Sequence, residues 1–350
     1  MSQGIYLLSN DGVYDQVIAI LNSIEANCGS DLPVCIIPYD QNIQRLEKAI
    51  EHRQNVFFFE NMDAMRQWET FIAEVHRLFQ ASSHLNVPSK RNAPLAMHRK
   101  YCAFDGAFEK FLYIDTDTLL FKPLDFLFKK LDKFDLVVHD FQRKSSLAKG
   151  TVNHFFDRLG SKEASLESFA NRFHCGGFWA SKRQAITESD REHFLKELRA
   201  GDIRIFRTPS KQHNYYLSEQ QILNYMTLKK GLSVYNFTLD DTSEHQTGCC
   251  VTSNQFIEKD RILYDGEKRL TYLHYMGIKN ARLEQLCQRA SLKLTANPHL
   301  LKLSDRLFKT DVASIPYKDL FLYYRFLPQS RQTQPQTKQT DAAPATPASR

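Results

Sequence analysis

FLYIDTDTLLF, residues 111–121, sets two carboxylates inside a run of apolar residues. Four residues that favour burial lead into Asp115 and Asp117, and apolar residues resume almost at once after them. An ionised carboxylate is costly to bury unless a positive partner compensates its charge. The stretch therefore predicts a buried strand that ends at a functional site, and it raises the question of which cation the two carboxylates share.

Compact apolar runs alternate with amphipathic stretches along the chain around this strand. Residues 5–9, 34–40 and 56–60 have the length and composition of buried strands, whereas 43–53 and 63–79 have the amphipathic character of helices. This alternation indicates an α/β protein with a mixed, mostly parallel sheet and helices on both faces. The pattern also predicts strands at 110–115, 134–139 and 270–277, and helices at 17–24, 192–198, 217–226 and 281–327.

Length and composition are those of an ordinary soluble protein. With 350 residues, the chain is long enough for one large domain or two smaller ones. Its apolar fraction of 42% and charged fraction of 25% are typical of globular proteins. No run of about 18 consecutive apolar residues predicts a membrane span. The N-terminal residues lack the basic and apolar regions of a secretory signal, so we expect a cytoplasmic protein.

Positive charge is concentrated near the C-terminus. The formal net charge is +6, and residues 279–331 alone hold ten Lys or Arg against four Asp or Glu. The rest of the chain is close to neutral, which argues against a nucleic-acid partner and for a local basic surface. The last residues, 329–350, contain no bulky apolar side chain, and we expect them to be disordered.

The two aspartates have the features of a divalent-metal site. Ligands of doubly wound sheets bind beyond the carboxyl ends of the strands, and Asp115 and Asp117 lie where this strand runs out of apolar residues. Residues two apart in an extended chain project to the same side, so both carboxylates can face one ion. A hard cation with oxygen ligands, Mg²⁺ or Mn²⁺, suits such a pair. Two carboxylates alone bind such an ion weakly, so phosphate oxygens of a ligand are expected to complete its coordination.

Two other interpretations of the aspartates stay open. They could be solvated turn residues at the end of a strand. YIDTDTLL, residues 113–120, also fits the hhhhDxDxT motif of haloacid-dehalogenase-type phosphatases, and Asp240 and Asp241 could then supply the second acidic site. That family normally carries its motif on the first strand, whereas here about 110 residues of alternating strand and helix precede it.

The order of the motifs resembles that of nucleotide-sugar-dependent glycosyltransferases with a GT-A fold. The chain is most similar to the retaining family that includes glycogenin and the bacterial lipooligosaccharide galactosyltransferases, over roughly residues 4–280. The resemblance implies a Rossmann-like catalytic domain at 1–280, followed by a helical, basic and aromatic extension at 281–328. It also implies sugar transfer from a nucleotide diphosphate sugar, a UDP-sugar, with Mn²⁺ or Mg²⁺ as cofactor and retention at the anomeric carbon.

In such enzymes the first strand and its turn hold the base and ribose of the donor. The corresponding segment here is LLSNDGVY, residues 7–14. An aromatic side chain beside the turn can stack on a pyrimidine, although it could equally be a helix residue packed on the core. By this resemblance the donor-binding residues of the segment are Ser9, Asn10, Asp11 and Tyr14.

The DxD motif of the family corresponds to Asp115, Thr116 and Asp117 without a gap. By this resemblance Asp117 is a metal ligand, Asp115 is shared between metal and ribose, and Thr116 lies beside the donor. The family also has a basic residue near the diphosphate, on the helix before the DxD strand. Counting back from the motif assigns that position to Arg99, with Lys100 as the substitute.

The third metal ligand of the family is a His in an H-x-x-G-x-x-K pattern. LHYMGIKNAR, residues 273–282, supplies His274, Gly277 and Lys279, one residue shorter than that pattern. An imidazole would complete the shell of the ion, Gly277 would let backbone approach the phosphates, and Lys279 would take up their charge. The alternative is a His buried in the core.

Two further segments match the family in part. FHCGG, residues 173–177, corresponds to the F-N-x-G segment that lines the donor sugar, with His174 in place of Asn and Gly176 retained. The His suggests a different sugar or acceptor preference. EQQILN, residues 219–224, corresponds to D-Q-x-x-L-N, with Glu219 in place of Asp and Gln220 retained. These two flank the anomeric carbon in such enzymes and are the predicted catalytic residues.

The resemblance leaves the acceptor undefined, and a saccharide, a lipid-linked sugar or a protein would each fit. A catalytically inactive protein that binds nucleotide sugars is a further alternative. YKDLFLYYRFLP, residues 317–328, follows a segment rich in Lys and Arg and could dock peripherally at the inner face of a membrane. A helical cap with a solvated charged face is the other interpretation of this segment.

Overall fold

A computed structural model of the protein describes residues 2–82, 95–139, 146–159, 165–206, 217–240, 242–246, 249–250 and 256–328, with backbone alone at 146–151 and 249–250. The tail at 329–350, predicted to be disordered, lies outside these residues. The described strands are β1 (Gln3–Ser9), β2 (Val34–Pro38), β3 (Val56–Phe58), β4 (Lys110–Ile114), β5 (Thr118–Leu120), β6 (Leu136–Val138), β7 (Phe178–Lys182), β8 (Val234–Asn236), β9 (Cys249–Cys250), β10 (Ile257–Lys259), β11 (Ile262–Asp265), β12 (Lys268–Arg269) and β13 (Tyr272–His274).

Helices cover both faces of the sheet and form the C-terminal part of the described chain. They are α1 (Tyr14–Cys28), α2 (Gln44–Ile50), α3 (Met62–Ser82), α4 (Asp125–Lys130), α5 (Ser146–Leu159), α6 (Leu166–Ala170), α7 (Glu188–Ala200), α8 (Glu219–Lys230), α9 (Asn280–Ser291), α10 (Pro298–Phe308) and α11 (Lys318–Arg325). A long 3₁₀ segment, Leu95–Asp105, precedes β4. Each helix in the described ranges is too short or too polar to cross a lipid bilayer.

Seven strands form the central sheet in the order β3-β2-β1-β4-β7-β6-β8. β7 runs antiparallel to both of its neighbours, and the other pairs are parallel. This confirms the predicted mixed, mostly parallel sheet flanked by helices. On one side of β1 lie β2 and then β3, and on its other side lies β4. β1 and β4 therefore border the point where ligands bind in open α/β sheets.

The apolar run of β4 is continuous because both faces of the sheet are covered. Phe111 and Tyr113 pack on one face, in a cluster that includes residues of α3 and α8. Leu112 and Ile114 pack on the opposite face, in a cluster that includes residues of α1. A strand buried on both sides needs apolar residues at every position, and the run stops where the strand reaches the rim.

A second, small sheet lies beside the carboxyl end of β4. It has the order β5-β13-β9, with β13 antiparallel to β5 and parallel to β9. β5 follows β4 after only three residues, so this sheet is attached directly to the rim of the large one. β10, β11 and β12 form a separate antiparallel sheet.

The C-terminal helices α9, α10 and α11 pack on this small sheet. Leu273 and Tyr275 share a buried cluster with Leu286, Leu301 and Phe321. α11 also packs along α1. Nδ2 of Asn22 in α1 donates to the carbonyl of Tyr324 in α11 over 2.7 Å. The domain boundary at residue 280 stays a prediction. Residues from both sides of that boundary belong to this core.

Replacement of Phe321 with Ala tests that shared core. Phe321 is 1% exposed and packs edge-on to Tyr275, with ring centroids 5.4 Å apart. Its loss should lower the free energy of unfolding by about 3–5 kcal/mol, because a cavity remains where the ring was. Urea unfolding of the whole chain measures this. Leu307→Ala, on a side chain that is 75% exposed, is the control and should change stability by less than about 0.5 kcal/mol. Equal stability of both variants would show that the helices are not part of the core.

Candidate functional site

Asp115, Asp117 and His274 come together at the carboxyl end of β4. Asp115 follows the last residue of β4, and Asp117 directly precedes β5. The β5–β13 ladder sets His274 opposite Thr118, and the amide of Tyr275 donates to the carbonyl of Asp117 over 2.8 Å. One side-chain ligand atom from each of the three residues lies within 4.8 Å of the others. Backbone pairing thus assembles a group of side chains that could hold a metal ion.

His274 and Asp117 compensate each other electrostatically. The imidazole is buried, and its Nε2 lies 3.1 Å from Oδ1 of Asp117. Burial opposes a charged ring, but the charge and hydrogen bond of Asp117, helped by the charge of Asp115, outweigh it. Together they raise the pKa of His274 above its ordinary value.

Lys100 compensates Asp115. Its side chain is 2% exposed, and Nζ lies 3.3 Å from Oδ1 of Asp115, 3.2 Å from the carbonyl of Gly176 and 3.7 Å from Oε1 of Glu219. Burial alone would lower the pKa of Lys100, but the two carboxylates raise it above its ordinary value. Burial would conversely raise the pKa of Asp115, which Lys100, followed by His274, holds below its ordinary value. A buried ammonium therefore lies between two carboxylates.

Backbone and hydroxyl contacts fix the orientation of Asp115. The Tyr113 hydroxyl donates to Oδ1 of Asp115 over 2.8 Å, and the amide of Asp115 donates to the carbonyl of Gly177 over 2.9 Å. A Cβ on Gly177 would lie 2.6 Å from Oδ2 of Asp115 and 2.8 Å from Cε1 of His274. The sequence prediction named Gly176 and missed Gly177, although the doubled glycine of FHCGG was the available signal of a close backbone approach.

A cavity of about 420 Å³ opens beside this group, at the carboxyl ends of β1 and β4. A volume of this order is common for sites that hold a small molecule. The predicted site residues that line it are Ser9, Asn10, Asp115, Thr116 and Asp117. The lining also includes residues that were not predicted as donor contacts, among them Gln16, Tyr39, Met97 and Asn280, as well as Lys100.

The predicted nucleotide contacts of the first turn are held in different ways. Asn10 lines the cavity, where its Nδ2 donates to Asp40 over 2.8 Å and its Oδ1 accepts from the amide of Gly12 over 3.0 Å. Asp11 instead accepts from two backbone amides at the start of α2, both over 2.9 Å. Its carboxylate is engaged in holding the N-terminus of α2.

Tyr14 lies in a smaller hollow next to the main cavity. The hollow measures about 80 Å³ and is lined by Tyr14, Arg45 and Glu284, among others. The guanidinium of Arg45 lies 3.5 Å from the centroid of the Tyr14 ring, and that of Arg325 lies 5.3 Å from it. These cation–π contacts cover the ring of Tyr14, which was predicted to stack on the base of the donor nucleotide.

Arg99 and Lys100 are adjacent in sequence but face different surroundings. Arg99 donates from Nε to Glu69 over 2.6 Å and from one Nη to the carbonyls of Pro38 and Tyr39 over 2.8 and 2.9 Å. Of the two residues, the described cavity lining includes Lys100 and not Arg99. The guanidinium ties the 3₁₀ segment to the end of β2, whereas the ammonium reaches the aspartate site.

Glu219 and Gln220 begin α8, which Ser218 caps in a capping box with Gln221. The Glu219 carboxylate reaches Lys100, and the Tyr101 hydroxyl donates to the Glu219 carbonyl. The start of α8 passes close to the glycine pair, because a Cβ on Gly176 would lie 3.4 Å from Cα of Gln220. The predicted catalytic Glu219 is therefore linked to the aspartate site through one buried lysine.

His174 is fully buried beneath the glycine pair. Its amide donates to Asn224 over 3.0 Å, and its Nδ1 lies 2.9 Å from the carbonyl of Cys175. Burial lowers the pKa of His174 to about 4, so the ring is neutral near pH 7. His174 is not among the residues that line the described cavity, and its predicted contact with the donor sugar stays a prediction.

Gly277 and Lys279 lie on the exposed turn between β13 and α9. Gly277 has a φ of 84°, a left-handed conformation that favours glycine. Lys279 is the exposed N-cap residue of α9. The next residue, Asn280, lines the cavity and accepts a hydrogen bond from Gln16 over 3.1 Å. Sequence reasoning gave no role to this amide pair.

The donor set of Asp115, Asp117 and His274 fits a divalent cation. Two carboxylates and one imidazole suit Mn²⁺ or Mg²⁺, and the nitrogen ligand favours Mn²⁺ of the two. The side chains of Asp115 and Asp117 are 30% and 20% exposed toward the rim, so an ion bound there could also meet ligand oxygens from the cavity.

Comparison with solved structures identifies the fold. The bifunctional glycosyltransferase WbbM in its apo form matches 93% of this chain and 50% of its own, with a TM-score of 0.51 and 13% identity. The present chain thus spans half the length of that protein. At this identity the similarity establishes a shared fold, and the predicted GT-A fold is confirmed.

Two other glycosyltransferase structures are similar over most of their length. Mouse xyloside xylosyltransferase 1 matches 67% of this chain and 85% of its own, at 9% identity and a TM-score of 0.47. The galactosyltransferase LgtC, solved with donor and acceptor sugar analogues, matches 78% of this chain and 87% of its own, at 16% identity and a TM-score of 0.40. No protein-family model and no curated protein matches the sequence.

Replacement of Gly177 with Ala tests the packing of the aspartate site. The new methyl group would displace Asp115 and His274, so we expect a loss of about 1–3 kcal/mol in the free energy of unfolding. Gly176→Ala is the matched control, because its Cβ would meet its nearest neighbours at 3.4 Å and should cost less than about 1 kcal/mol. Denaturant unfolding of both variants gives the comparison. Indistinguishable stabilities would contradict the close approach of Gly177 to the two side chains.

Proposed function

We propose that this protein is a metal-dependent glycosyltransferase that moves a sugar from a UDP-sugar to an acceptor with retention at the anomeric carbon. One observation carries the proposal: Asp115, Asp117 and His274 meet beside a cavity at the ends of β1 and β4. The shared fold with glycosyltransferases supports it. UDP and retention rest on the family resemblance of the sequence motifs.

Asp115, Asp117 and His274 would hold the ion, Mn²⁺ or Mg²⁺. A bound ion would supply positive charge to the diphosphate that departs in the reaction, where negative charge grows in the transition state. Asn10 and Thr116 would contact the donor from the cavity wall, with Ser9 at the end of β1. Lys279, on the exposed turn before α9, would reach the diphosphate from outside the cavity.

We assign the fixed positive charge near the donor to Lys100, with Arg99 in a supporting position. Lys100 lies in the cavity wall and bridges the carboxylates of Asp115 and Glu219. The bridge would hold Glu219 in place beside the anomeric carbon, where its charge would stabilise an oxocarbenium-like centre. Gln220 would flank the same carbon. The acceptor hydroxyl would attack from the side of the leaving group, so no covalent intermediate with the enzyme is needed.

A phosphatase of the haloacid-dehalogenase type is the alternative that shares the aspartates. It would need the later acidic pair as part of its metal site. Among the described residues, which do not include Asp241, the group that could hold a metal ion contains Asp115, Asp117 and His274 and not Asp240. Asp240 instead accepts hydrogen bonds from the Tyr235 and Thr242 hydroxyls. The residues around the aspartates therefore favour sugar transfer.

Three single variants separate the two functions. Asp117→Ala and His274→Ala should each lower Mn²⁺-dependent release of UDP from UDP-sugars by about 100-fold or more, because the charge on the leaving group loses its stabilisation. Asp240→Asn is the matched control and should keep the wild-type rate. Activity is measured on a panel of UDP-sugars and, in parallel, on p-nitrophenyl phosphate.

If the wild type hydrolyses p-nitrophenyl phosphate and Asp240→Asn abolishes this activity, the protein is instead a phosphatase. Wild-type binding of a nucleotide sugar by thermal shift, without turnover on any donor or acceptor, would identify an inactive binding protein. UDP release that survives in both Asp117→Ala and His274→Ala would contradict the site assignment.

Lys100→Met and Arg99→Met distinguish the two adjacent basic residues. Loss of the buried ammonium should weaken binding of UDP with Mn²⁺ by about 10–100-fold, since a charge-assisted contact is removed. Arg99→Met should change this affinity by less than about threefold, because its guanidinium is held by Glu69 and two carbonyls. Isothermal titration calorimetry measures both. Thermal unfolding of both variants shows whether they are folded, and the reverse order of effects would assign the diphosphate contact to Arg99.

The identity of the acceptor and the location of the protein stay predictions. A saccharide, a lipid-linked sugar or a protein would each supply the hydroxyl group that the reaction needs. We expect the enzyme to act in the cytoplasm. Peripheral membrane contact through the segment at 317–328 stays a prediction as well, although its helix α11 buries Leu320, Phe321 and Tyr324.

A further inference from the structure

The segment at 174–177 runs past the aspartate site just before β7 begins, outside the regular strands. Each of its four carbonyls has a partner from a different residue. In chain order these partners are Nδ2 of Asn224, the ring Nδ1 of His174, Nζ of Lys100 and the amide of Asp115, over 2.7, 2.9, 3.2 and 2.9 Å. Backbone groups that lack a strand neighbour need other partners, so groups from several elements determine the course of this segment.

Asn224 on α8 holds the beginning of the segment. Its side chain is fully buried. Oδ1 accepts from the amide of His174 over 3.0 Å, and Nδ2 donates to the carbonyl of the same residue over 2.7 Å. Nδ2 also donates to the carbonyl of Gln220, one turn earlier in α8, over 2.9 Å. Because an amide side chain offers both a donor and an acceptor, Asn224 pairs with His174 as a neighbouring strand would.

α8 is thereby joined to the aspartate site at two points. At its first residue, Oε1 of Glu219 lies 3.7 Å from the Lys100 ammonium, which also reaches Asp115. Five residues further along α8, Asn224 holds the segment whose Gly176 carbonyl accepts from the same ammonium. One contact would set only the distance between the helix and the site. Two contacts also set the direction in which the start of α8 points.

The backbones of α8 and of the segment are in close contact between these two points. A Cβ on Gly176 would lie 3.4 Å from Cα of Gln220. A shift of either backbone would therefore move Glu219 and Gln220 relative to Asp115. Asn224 is the side chain of α8 that bonds to the segment directly among the described contacts.

We propose that Asn224 is a positioning residue for sugar transfer, which keeps Glu219 and Gln220 aligned with the aspartate site. This role rests on the proposed function, because the alignment matters only when a donor sugar lies between these groups. Asn10 and Thr116, the proposed donor contacts of the cavity wall, belong to other elements. Loss of Asn224 should therefore affect the transfer step more than the binding of the nucleotide.

Asn224→Asp and Asn224→Ala test this role. Asp keeps the acceptor for the His174 amide and loses both donated bonds, whereas Ala loses all three. Each variant should lower kcat for Mn²⁺-dependent release of UDP from a UDP-sugar at least about tenfold, since a small misplacement of catalytic groups is costly. Isothermal titration calorimetry of UDP with Mn²⁺ should show less than about a threefold change in Kd, because the interaction lost is made in the transition state.

Asn22→Ala is the matched control for a loss of stability. Asn22 is also a buried asparagine, on α1, where it donates to the carbonyl of Tyr324 and accepts from Arg53. Its replacement should lower the melting temperature about as much as Asn224→Ala does, yet leave kcat within about threefold of the wild type, because the aspartate site does not depend on it. Equal losses of kcat in these two Ala variants, or no loss in either, would overturn the positioning role.

Hydrogen exchange measures the attachment of the segment without using activity. Asn224→Ala should make the amides of residues 174–177 exchange at least about tenfold faster, whereas Asn22→Ala should leave them protected. Unchanged exchange in Asn224→Ala would overturn the attachment, whatever the activity. If the exchange changes as expected but the wild type releases UDP from no UDP-sugar, the proposed function is wrong, and the role of Asn224 in transfer is overturned with it.

Discussion

The structure depends on the compensation of two carboxylates at the end of a buried strand. Asp115 lies 3.3 Å from the ammonium of Lys100, and Asp117 lies 3.1 Å from the imidazole of His274, whose pKa it raises. Without them, two like charges would lie close together beside the core, at a considerable cost in free energy. The same arrangement leaves carboxylate oxygens facing a cavity. The two carboxylates are therefore stable in the folded protein, and their oxygens are also available to a divalent cation.

This arrangement is held by elements that are distant along the chain. The β5–β13 ladder brings His274 to Asp117, and Gly177 lets β7 approach both side chains. The small sheet is supported from behind by α9, α10 and α11 through a shared core. The C-terminal helices therefore support the geometry of the rim from behind.

Much of the fold could be predicted from the spacing of apolar residues, because burial determines that spacing. The run of β4 was predicted to within a residue, because a strand covered on both faces tolerates no polar position until it ends. The grouping of the two aspartates with His274 was predicted from the resemblance. The choice between Arg99 and Lys100 could not be made by counting, because neighbouring residues of a 3₁₀ segment point in different directions. Tyr14 was likewise assigned to a base, while Arg45 covers its ring.

The sequence by itself determined the alternation of strands and helices, the strand that ends in carboxylates, and the residue types that can bind a cation. These are local properties, because burial and backbone preference act on each segment separately. The tertiary structure decided that Lys100 lies in the cavity wall beside Asp115, and that Gly177 must lack a side chain. Those features depend on contacts between segments far apart in the chain, and their geometry exists only once the segments pack together.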